Sequence, residues 1–467
     1  MESKLSLFKE YLDRTQMEHK KYQYEGVEWI LTNELQDKPI CGVRGGIIAD
    51  EMGLGKTIMM IGTFVCNFLP KTLIIVPPVL LNQWYEQILK TTGHKALIYH
   101  GENKKKVSLE MLNKAIIVIT TYGTITMNKK KREITLLHHI KWSRLVIDEA
   151  HNLRNSKTIR AISVKNLQGK IRWFITGTPI QNSQKDLFSL YSQMRLPSKH
   201  YYGNYILVRN SYILKRTKAQ VGILLPEVNI DKSIVNWKSV KEMELSEEIH
   251  SALNFSRISN NKYVNSTFTK SLGSLVLLMR ARQSCIYPNL LSRLVKNLKG
   301  DSNDFYKEAI SKSSKLDFVV NKILQRKDNK CGKLIFCHFR EEIDEVARRL
   351  IAGGIQSIAT FDGRTSKTNR GKILNSKKDA LILQIQTGCE GLNLQEHYSE
   401  IYFISPHWNP AVEDQAIARC HRIGQTKVVF VERFEMSKFV EDQTLSVDNY
   451  VVSVQSKKRT IACDCIS

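Results

Sequence analysis

The chain has 467 residues, 42% of them hydrophobic, and carries 70 Lys and Arg against 45 Asp and Glu, a formal net charge of +25. That length exceeds one ordinary core and predicts two or three domains. The hydrophobic fraction excludes a disordered chain, no apolar run reaches the about 18 residues of a membrane span, and the basic balance points to a polyanion partner, usually nucleic acid.

The nine cysteines show no paired metal-ligand spacing. Cys463 and Cys465 form a C-x-C, but no second pair accompanies it. Reduced thiols inside a cell are expected. Met1-Glu2-Ser3-Lys4 does not read as a signal peptide. The expectation is an intracellular protein, located where its polyanion is and not in a membrane.

In chain order, residues 5–35 read as helical, with apolar residues on one face around Tyr22 to Leu31. Gln23 lies there; its amide carries a donor and an acceptor and could read an adenine edge, though alone it is an ordinary polar helix residue. Ile47 to Ala49 reads as a buried strand, and Thr57 to Val65 as a helix. Between them runs Asp50-Glu51-Met52-Gly53-Leu54-Gly55-Lys56. Strand, glycine-bearing turn, Lys-Thr and helix is the layout of a phosphate-binding loop. Gly53 and Gly55 permit φ > 0 and close backbone approach, and the helix start attracts an anion. Lys56 would reach the β- and γ-phosphates of a nucleotide, and Thr57 would hold Mg²⁺. The generic pattern wants Gly where Asp50 stands.

Thr72 to Val76 is a second strand, stopped by Pro77-Pro78, and a helix with Leu80, Leu81, Trp84, Ile88 and Leu89 follows. Ala96 to Tyr99 and Ala115 to Thr120 are further strands. Strands alternating with helices predict a parallel sheet. Lys104 to Lys106 and Lys129 to Arg132 are basic loops, either solvated, set against phosphates or serving nuclear import. Leu145 to Ile147 is a strand with Asp148-Glu149-Ala150-His151 at its carboxyl end, where α/β sheets bind ligands. A divalent cation reconciles the two adjacent acids: Asp148 would hold Mg²⁺ and Glu149 would orient the attacking water. Trp173 to Thr176 is a strand running into Gly177-Thr178-Pro179-Ile180-Gln181-Asn182. Residues 200–310 read as helical without alternating strands, an insertion or bridge. From 311 the α/β rhythm returns, with strands at 334–337, 357–361, 380–385, 401–405 and 428–434 and helices at 341–350 and 410–420. Arg419 and Arg422 share one helix face and there want an anion.

These motifs resemble the Swi/Snf family of chromatin-remodelling ATPases, helicase-like proteins with two RecA-like lobes. The most specific pieces are Asp50 to Thr57, Asp148 to His151, Gly177 to Asn182, and Asp414-Gln415-Ala416 through Arg419-Cys420-His421-Arg422-Ile423-Gly424-Gln425. Lesser matches are Gln23, Leu214-Lys215-Arg216-Thr217-Lys218, Phe361-Asp362-Gly363 and Gly391-Leu392-Asn393-Leu394. In this family Asp50 is the usual residue of the loop. The fold implied is α/β: two tandem RecA-like parallel-sheet lobes, 1–200 and 311–445, with a helical insertion over 201–310 and a tail over 446–467.

The activity implied is ATP hydrolysis between the lobes, coupled to movement along double-stranded DNA. Its targets would be DNA-bound proteins such as histones or transcription machinery. By position, Lys56, Thr57, Asp148 and Glu149 would be the chemistry of the first lobe, and Arg419 and Arg422 the arginine fingers of the second. Gln23, Asp50 to Thr57 and Gln425 would bind the nucleotide. The family usually has a Ser/Thr-x-Ala-Gly-Gly-type stretch before Gly391, where this chain reads Gln384-Ile385-Gln386-Thr387-Gly388-Cys389-Glu390. Pro179 to Leu214 is short, so the protrusion is small. The chain is similar to compact, monomeric motors such as those of large DNA viruses. A strand-separating DNA or RNA helicase, a transcription-termination ATPase and a non-catalytic DNA scaffold are the alternative readings.

Overall fold

Ile47 and Ile48 are both fully buried although they point to opposite faces of one strand. That is the mark of a parallel sheet covered on both sides, and a computed structural model shows two of them. It describes residues 1–127, 134–253, 273–296, 303–374, 376–388, 392–439 and 445–466. The basic run Lys129 to Arg132 and Gly391 lie outside the described residues, as do Cys389 and Glu390 of the unusual stretch.

The chain divides into two compact units, Met1–Leu224 with Thr460–Ser467, and Leu225–Arg459. The first is built on β1 (Arg44–Ile48), β2 (Thr72–Val76), β3 (Leu97–Tyr99), β4 (Ile117–Thr121), β5 (Lys141–Asp148), β6 (Gln168–Ile175) and β7 (Ile213–Leu214), in the order β3-β4-β2-β5-β6-β1-β7. Its strand pairs are parallel. Side chains alternate between two cores. Ile47, Leu73, Ile75, Leu145, Ile147 and Phe174 enter one, while Ile48, Ile74, Val76, Val146, Trp173 and Ile175 enter the other. Ile175 is in register with both Ile48 and Asp148, so the segments that follow β1, β5 and β6 emerge side by side.

The helical reading of 5–35 resolves into two helices, Glu2–Arg14 and Lys21–Leu35. Gln16, at φ 53, breaks the run. The second helix is tied to the sheet by Glu34. Its carboxylate accepts from Arg144 Nε and Nη2 at 2.6 and 2.5 Å, from Trp173 Nε1 at 2.8 Å and from Asn67 Nδ2 at 2.7 Å. Glu34 and Arg144 have no exposed side-chain surface. Glu34→Ala would leave the Arg144 cation buried without its acid. A loss of about 3–5 kcal/mol is expected, read as a lower midpoint in urea unfolding with an unchanged slope.

The second unit holds β8 (Val228–Val235), β9 (Gly332–Cys337), β10 (Ile358–Phe361), β11 (Ala380–Gln384), β12 (Tyr398–Phe403) and β13 (Val429–Met436), in the order β10-β11-β9-β12-β13-β8, again parallel throughout. The two tandem parallel sheets with surrounding helices are the fold class expected. The segment 201–310, expected to be helical, contains β7 and β8 as well as helices. β7 has only two residues. β8 is an edge strand whose Asn229, Ile230, Asp231 and Lys232 are all exposed, so it lacks the apolar run that marks the buried strands. The segment is also shared, with residues up to 224 in the first unit and the rest in the second. Residues 446–467, expected as a tail, contain the helix Val447–Ile466. Near its start the fully buried Asp448 pairs with the fully buried Lys315.

Candidate nucleotide-binding site

The loop after β1 has the backbone its glycines predict. Gly53 and Gly55 take φ of 93° and 78°, and the helix Lys56–Cys66 begins directly after Gly55. Lys56 curls over the loop, its Nζ donating to the carbonyls of Asp50 at 2.7 Å and Glu51 at 3.1 Å. Gln23 packs against the same turn: a Cβ on Gly55 would lie 2.4 Å from its Nε2. Gly55→Ala therefore meets a strained φ and a collision together. It is expected to weaken ATP binding by tenfold or more while the fold survives, checked by titration with a fluorescent ATP analogue.

Asp50 explains why this loop departs from the generic glycine. Its side chain is fully buried. One carboxylate oxygen accepts from Arg216 N at 2.9 Å and Nε at 3.1 Å, and the other from Arg216 Nη2 at 2.6 Å. Arg216 Nη1 also donates to the carbonyl of Tyr22 at 2.5 Å, just before Gln23. Next to it, Glu51 takes Lys218 Nζ at 2.7 Å and Lys218 N at 2.8 Å. Backbone bonds from Ala49 N to Leu214 O at 2.7 Å and from Glu51 N to Arg216 O at 2.9 Å continue the seam. The start of the loop is thus fastened along residues 214–218, the segment after β7. Sequence reasoning named Leu214 to Lys218 but gave Arg216 and Lys218 no role. The unexpected buried acid at position 50 was the signal that a cation had to face it.

Asp148 ends β5. Trp84 Nε1 donates to its Oδ2 at 2.7 Å and Glu149 N to its Oδ1 at 2.9 Å. Tyr122 holds the turn through the carbonyls of Asp148 at 2.6 Å and Glu149 at 3.3 Å. Burial, then the Glu149 carboxylate, push the Asp148 carboxyl up to about 6, with Lys56 among the groups that oppose the rise. Glu149 sits in the left-handed region at φ 49, which turns the chain sharply after the strand. Its Oε2 lies 3.2 Å from His151 Nδ1, and His151 Nδ1 lies 3.4 Å from Thr176 Oγ1.

Beyond β6, Thr178 N donates to Thr176 Oγ1 at 3.2 Å. Asp186 fixes the following turn through Gln181 N at 3.0 Å and Asn182 N at 2.7 Å. Gln181 also receives Arg154 Nη1 at 2.8 Å, joining the turn to the segment after Asp148. Gly177 faces Met52, whose Cγ would be 3.1 Å from an added Cβ. Gln23, Asp50 to Thr57, Asp148, Glu149 and the Gly177 to Asn182 turn therefore gather at the carboxyl edge of the first sheet. Thr57 and Asp148 carry oxygen donors of the kind Mg²⁺ takes. A cation beside Asp148 would also offset the burial and the carboxylate repulsion that weaken it as an acid.

Arg419 and Arg422 belong to the second unit, after the helix Pro410–Ile417. Arg419 is largely buried, its carbonyl accepting from Leu394 N at 3.1 Å. Arg422 donates through Nη1 to Asn393 Oδ1. Burial and then the charge of Arg419 hold the pKa of the Arg422 guanidinium below its ordinary value, so the two cations do repel. Gln425, expected at the nucleotide, has its amide committed inside this unit. Nε2 donates to the carbonyls of Gln395, Tyr398 and Cys420 at 3.1, 3.0 and 3.3 Å, and Oε1 accepts from Thr426 N and Lys427 N at 3.0 and 2.9 Å. Of the unusual stretch, Gln384 ends β11 and Ile385–Gly388 is a short helix.

Comparison with known proteins gives two family matches, an SNF2-related domain over residues 22–201 and a helicase conserved C-terminal domain over 314–424. An uncharacterized ATP-dependent helicase of Mycoplasma genitalium is 31% identical, over 94% of this chain and 42% of its own length. A probable global transactivator of Orgyia pseudotsugata multicapsid polyhedrosis virus is 28% identical, over 94% of this chain and 89% of its own. The ISWI chromatin-remodeling complex ATPase ISW2 of Saccharomyces cerevisiae is 28% identical, over 94% and 41%. Among solved structures, the Sulfolobus solfataricus SWI2/SNF2 ATPase core in complex with dsDNA matches at 24% identity and a TM-score of 0.39, covering 96% of this chain and 92% of that one. The chain thus spans less than half of two of these relatives and most of the viral one.

Proposed function

Because the chain belongs to the SNF2-related, helicase-like family, we propose that it is a DNA-stimulated ATPase that moves along double-stranded DNA. The observation that carries the reading is the gathering of the phosphate loop, the Asp148-Glu149 pair and the Gly177 to Asn182 turn on one sheet edge, fixed by the register of Ile175 with Ile48 and Asp148. The loop amides and Lys56 hold the β- and γ-phosphates of ATP. Gln23 bears on the adenine side of the loop. Thr57 and Asp148 would hold Mg²⁺, which when bound neutralises phosphate charge. Glu149 orients the attacking water and takes its proton. Arg419 and Arg422 supply the cations that stabilise the transferring phosphoryl group, a contribution of about 10³–10⁵ in rate for such a finger. Gln425 positions these arginines by bracing the turn that follows them.

The net charge of +25 suits a DNA backbone partner. Displacement of DNA-bound proteins, histones or transcription machinery among them, is the work proposed for the motor, and the relatives named for chromatin remodelling and for transactivation support it. The test is a pair of assays on the full chain with ATP. One measures displacement of a triplex-forming strand from blunt duplex, which duplex tracking produces; the other measures unwinding of a tailed duplex. Triplex displacement without unwinding is expected. Unwinding of the tailed duplex would replace this reading with that of a strand-separating helicase.

A further inference from the structure

At the opposite edge of the first sheet, three cations converge with no carboxylate among them. Lys165, Asn166, Ser192, Arg195 and Leu196 line a recess of about 480 Å³. Beneath it lies Arg172, 2% exposed. Its Nη1 donates to the carbonyl of Gln193 at 3.1 Å, and its Nη2 to those of Lys165 at 3.4 Å and Leu167. Arg195 reaches the same two carbonyls, Lys165 O at 3.5 Å and Leu167 O at 3.1 Å. Lys165 Nζ donates to Ser192 Oγ at 2.8 Å. Among the described residues no ion pair joins Lys165, Arg172 or Arg195 to an acid.

Ordinary helix capping accounts for part of this. The helices Ile159–Asn166 and Gln184–Gln193 both end here. A helix C-terminus carries about half a negative charge, so two ends offset roughly one cation of three. Two guanidinium groups sharing the same carbonyls still repel, and burial together with Arg195 brings Arg172 down to about 9. Arg195 is moreover held at φ 69, a left-handed position that a side chain other than glycine or asparagine adopts at a cost. Although exposed, Arg195 keeps its guanidinium beside Arg172 through the carbonyls they share. Exposed Lys141, in register with Gln168, and exposed Lys170 lie on the strands at the same end of the sheet.

We propose that this recess binds a phosphate group, presented by the backbone of duplex DNA. The inference rests on the reading of the chain as a duplex-DNA motor, and it adds a DNA contact remote from the nucleotide. The eight residues of β6 separate the two edges by roughly 25 Å. A phosphate at the recess would receive Lys165 and Arg195 directly, with Arg172 adding charge from below.

The test compares the full wild-type chain with a Lys165→Gln/Arg195→Gln variant, both positions being exposed. Blunt-duplex affinity is measured against salt, along with ATP hydrolysis without DNA and binding of inorganic pyrophosphate. The variant is expected to bind duplex more weakly, with the slope of log affinity on log salt reduced by about 0.9 per lost phosphate contact. Its DNA-free hydrolysis should be unchanged, and Lys165→Arg should keep the wild-type slope. Duplex binding with the wild-type slope in the variant overturns the proposal and leaves the motor reading intact. Pyrophosphate binding lost in the variant with an unchanged DNA slope would assign the recess to free oligophosphate and overturn the DNA contact. A wild-type chain that binds no duplex overturns both.

Discussion

Glu149→Gln yields a folded chain that binds ATP and turns it over about 10²–10⁴-fold more slowly, the span that general base catalysis contributes. The side chain is placed for the task by backbone geometry. The φ of 49° at Glu149 turns the chain as it leaves β5, while Asp148 stays engaged with Trp84. Glutamine is close to isosteric and keeps a polar side chain beside His151, so binding should survive while proton transfer does not. Lys56→Ala is expected to abolish hydrolysis by a different route, through loss of the phosphate contact, and should weaken ATP binding as well. The discriminating measurement is single-turnover hydrolysis at saturating ATP beside an equilibrium ATP titration. Wild-type turnover in Glu149→Gln would remove Glu149 from the mechanism.

Asp50→Gly restores the generic phosphate-loop pattern, and here it should be harmful. Asp50 is wholly buried and Arg216 only 15% exposed, so removing the acid leaves a cation that two carboxylate oxygens now hold with only the half-exposed Glu25 carboxylate, at 3.9 Å. Breaking a buried pair from one side costs about 3–5 kcal/mol. The first unit should unfold at lower urea, and ATP affinity should fall, because the loop loses its fastening to residues 214–218. Removing both charges, as Asp50→Gly/Arg216→Met, should recover much of the stability, since replacing a buried pair with apolar residues is often neutral. Recovery of stability without recovery of ATP affinity would show that the pair positions the loop as well as holding the fold. An Asp50→Gly chain as stable as wild type would contradict this account of position 50.

The parts of the fold that could be read from the sequence are those where burial on both faces forces a continuous apolar run. Ile74, Val146 and Leu381, each fully buried, announce their strands without any partner being known. β8 could not be read this way, because this edge strand leaves side chains of both faces in water, Asn229 to Lys232 all being exposed, and its Asn229 to Ser233 stretch looks like a loop. Helix and break were also merged over 5–35, since one residue in the left-handed region, Gln16, leaves no strong mark in composition. In the site, the phosphate loop and the acid pair were legible because their chemistry needs particular residues at strand ends. The partner of Asp50 was not, since Arg216 lies far along the chain and only the pairing of β1 with β7 brings it alongside. Gln425 shows the converse difficulty. Its place in a shared motif suggested a ligand contact, whereas its amide is spent on five backbone groups of its own unit.

The central claim, that this chain is an ATPase driven by duplex DNA, is tested most directly by steady-state ATP hydrolysis at fixed salt with no nucleic acid, with single-stranded DNA, with RNA and with blunt double-stranded DNA. The account predicts strong stimulation by the blunt duplex, abolished in Glu149→Gln. Stimulation by single strands or RNA alone, or hydrolysis indifferent to every nucleic acid, would contradict it.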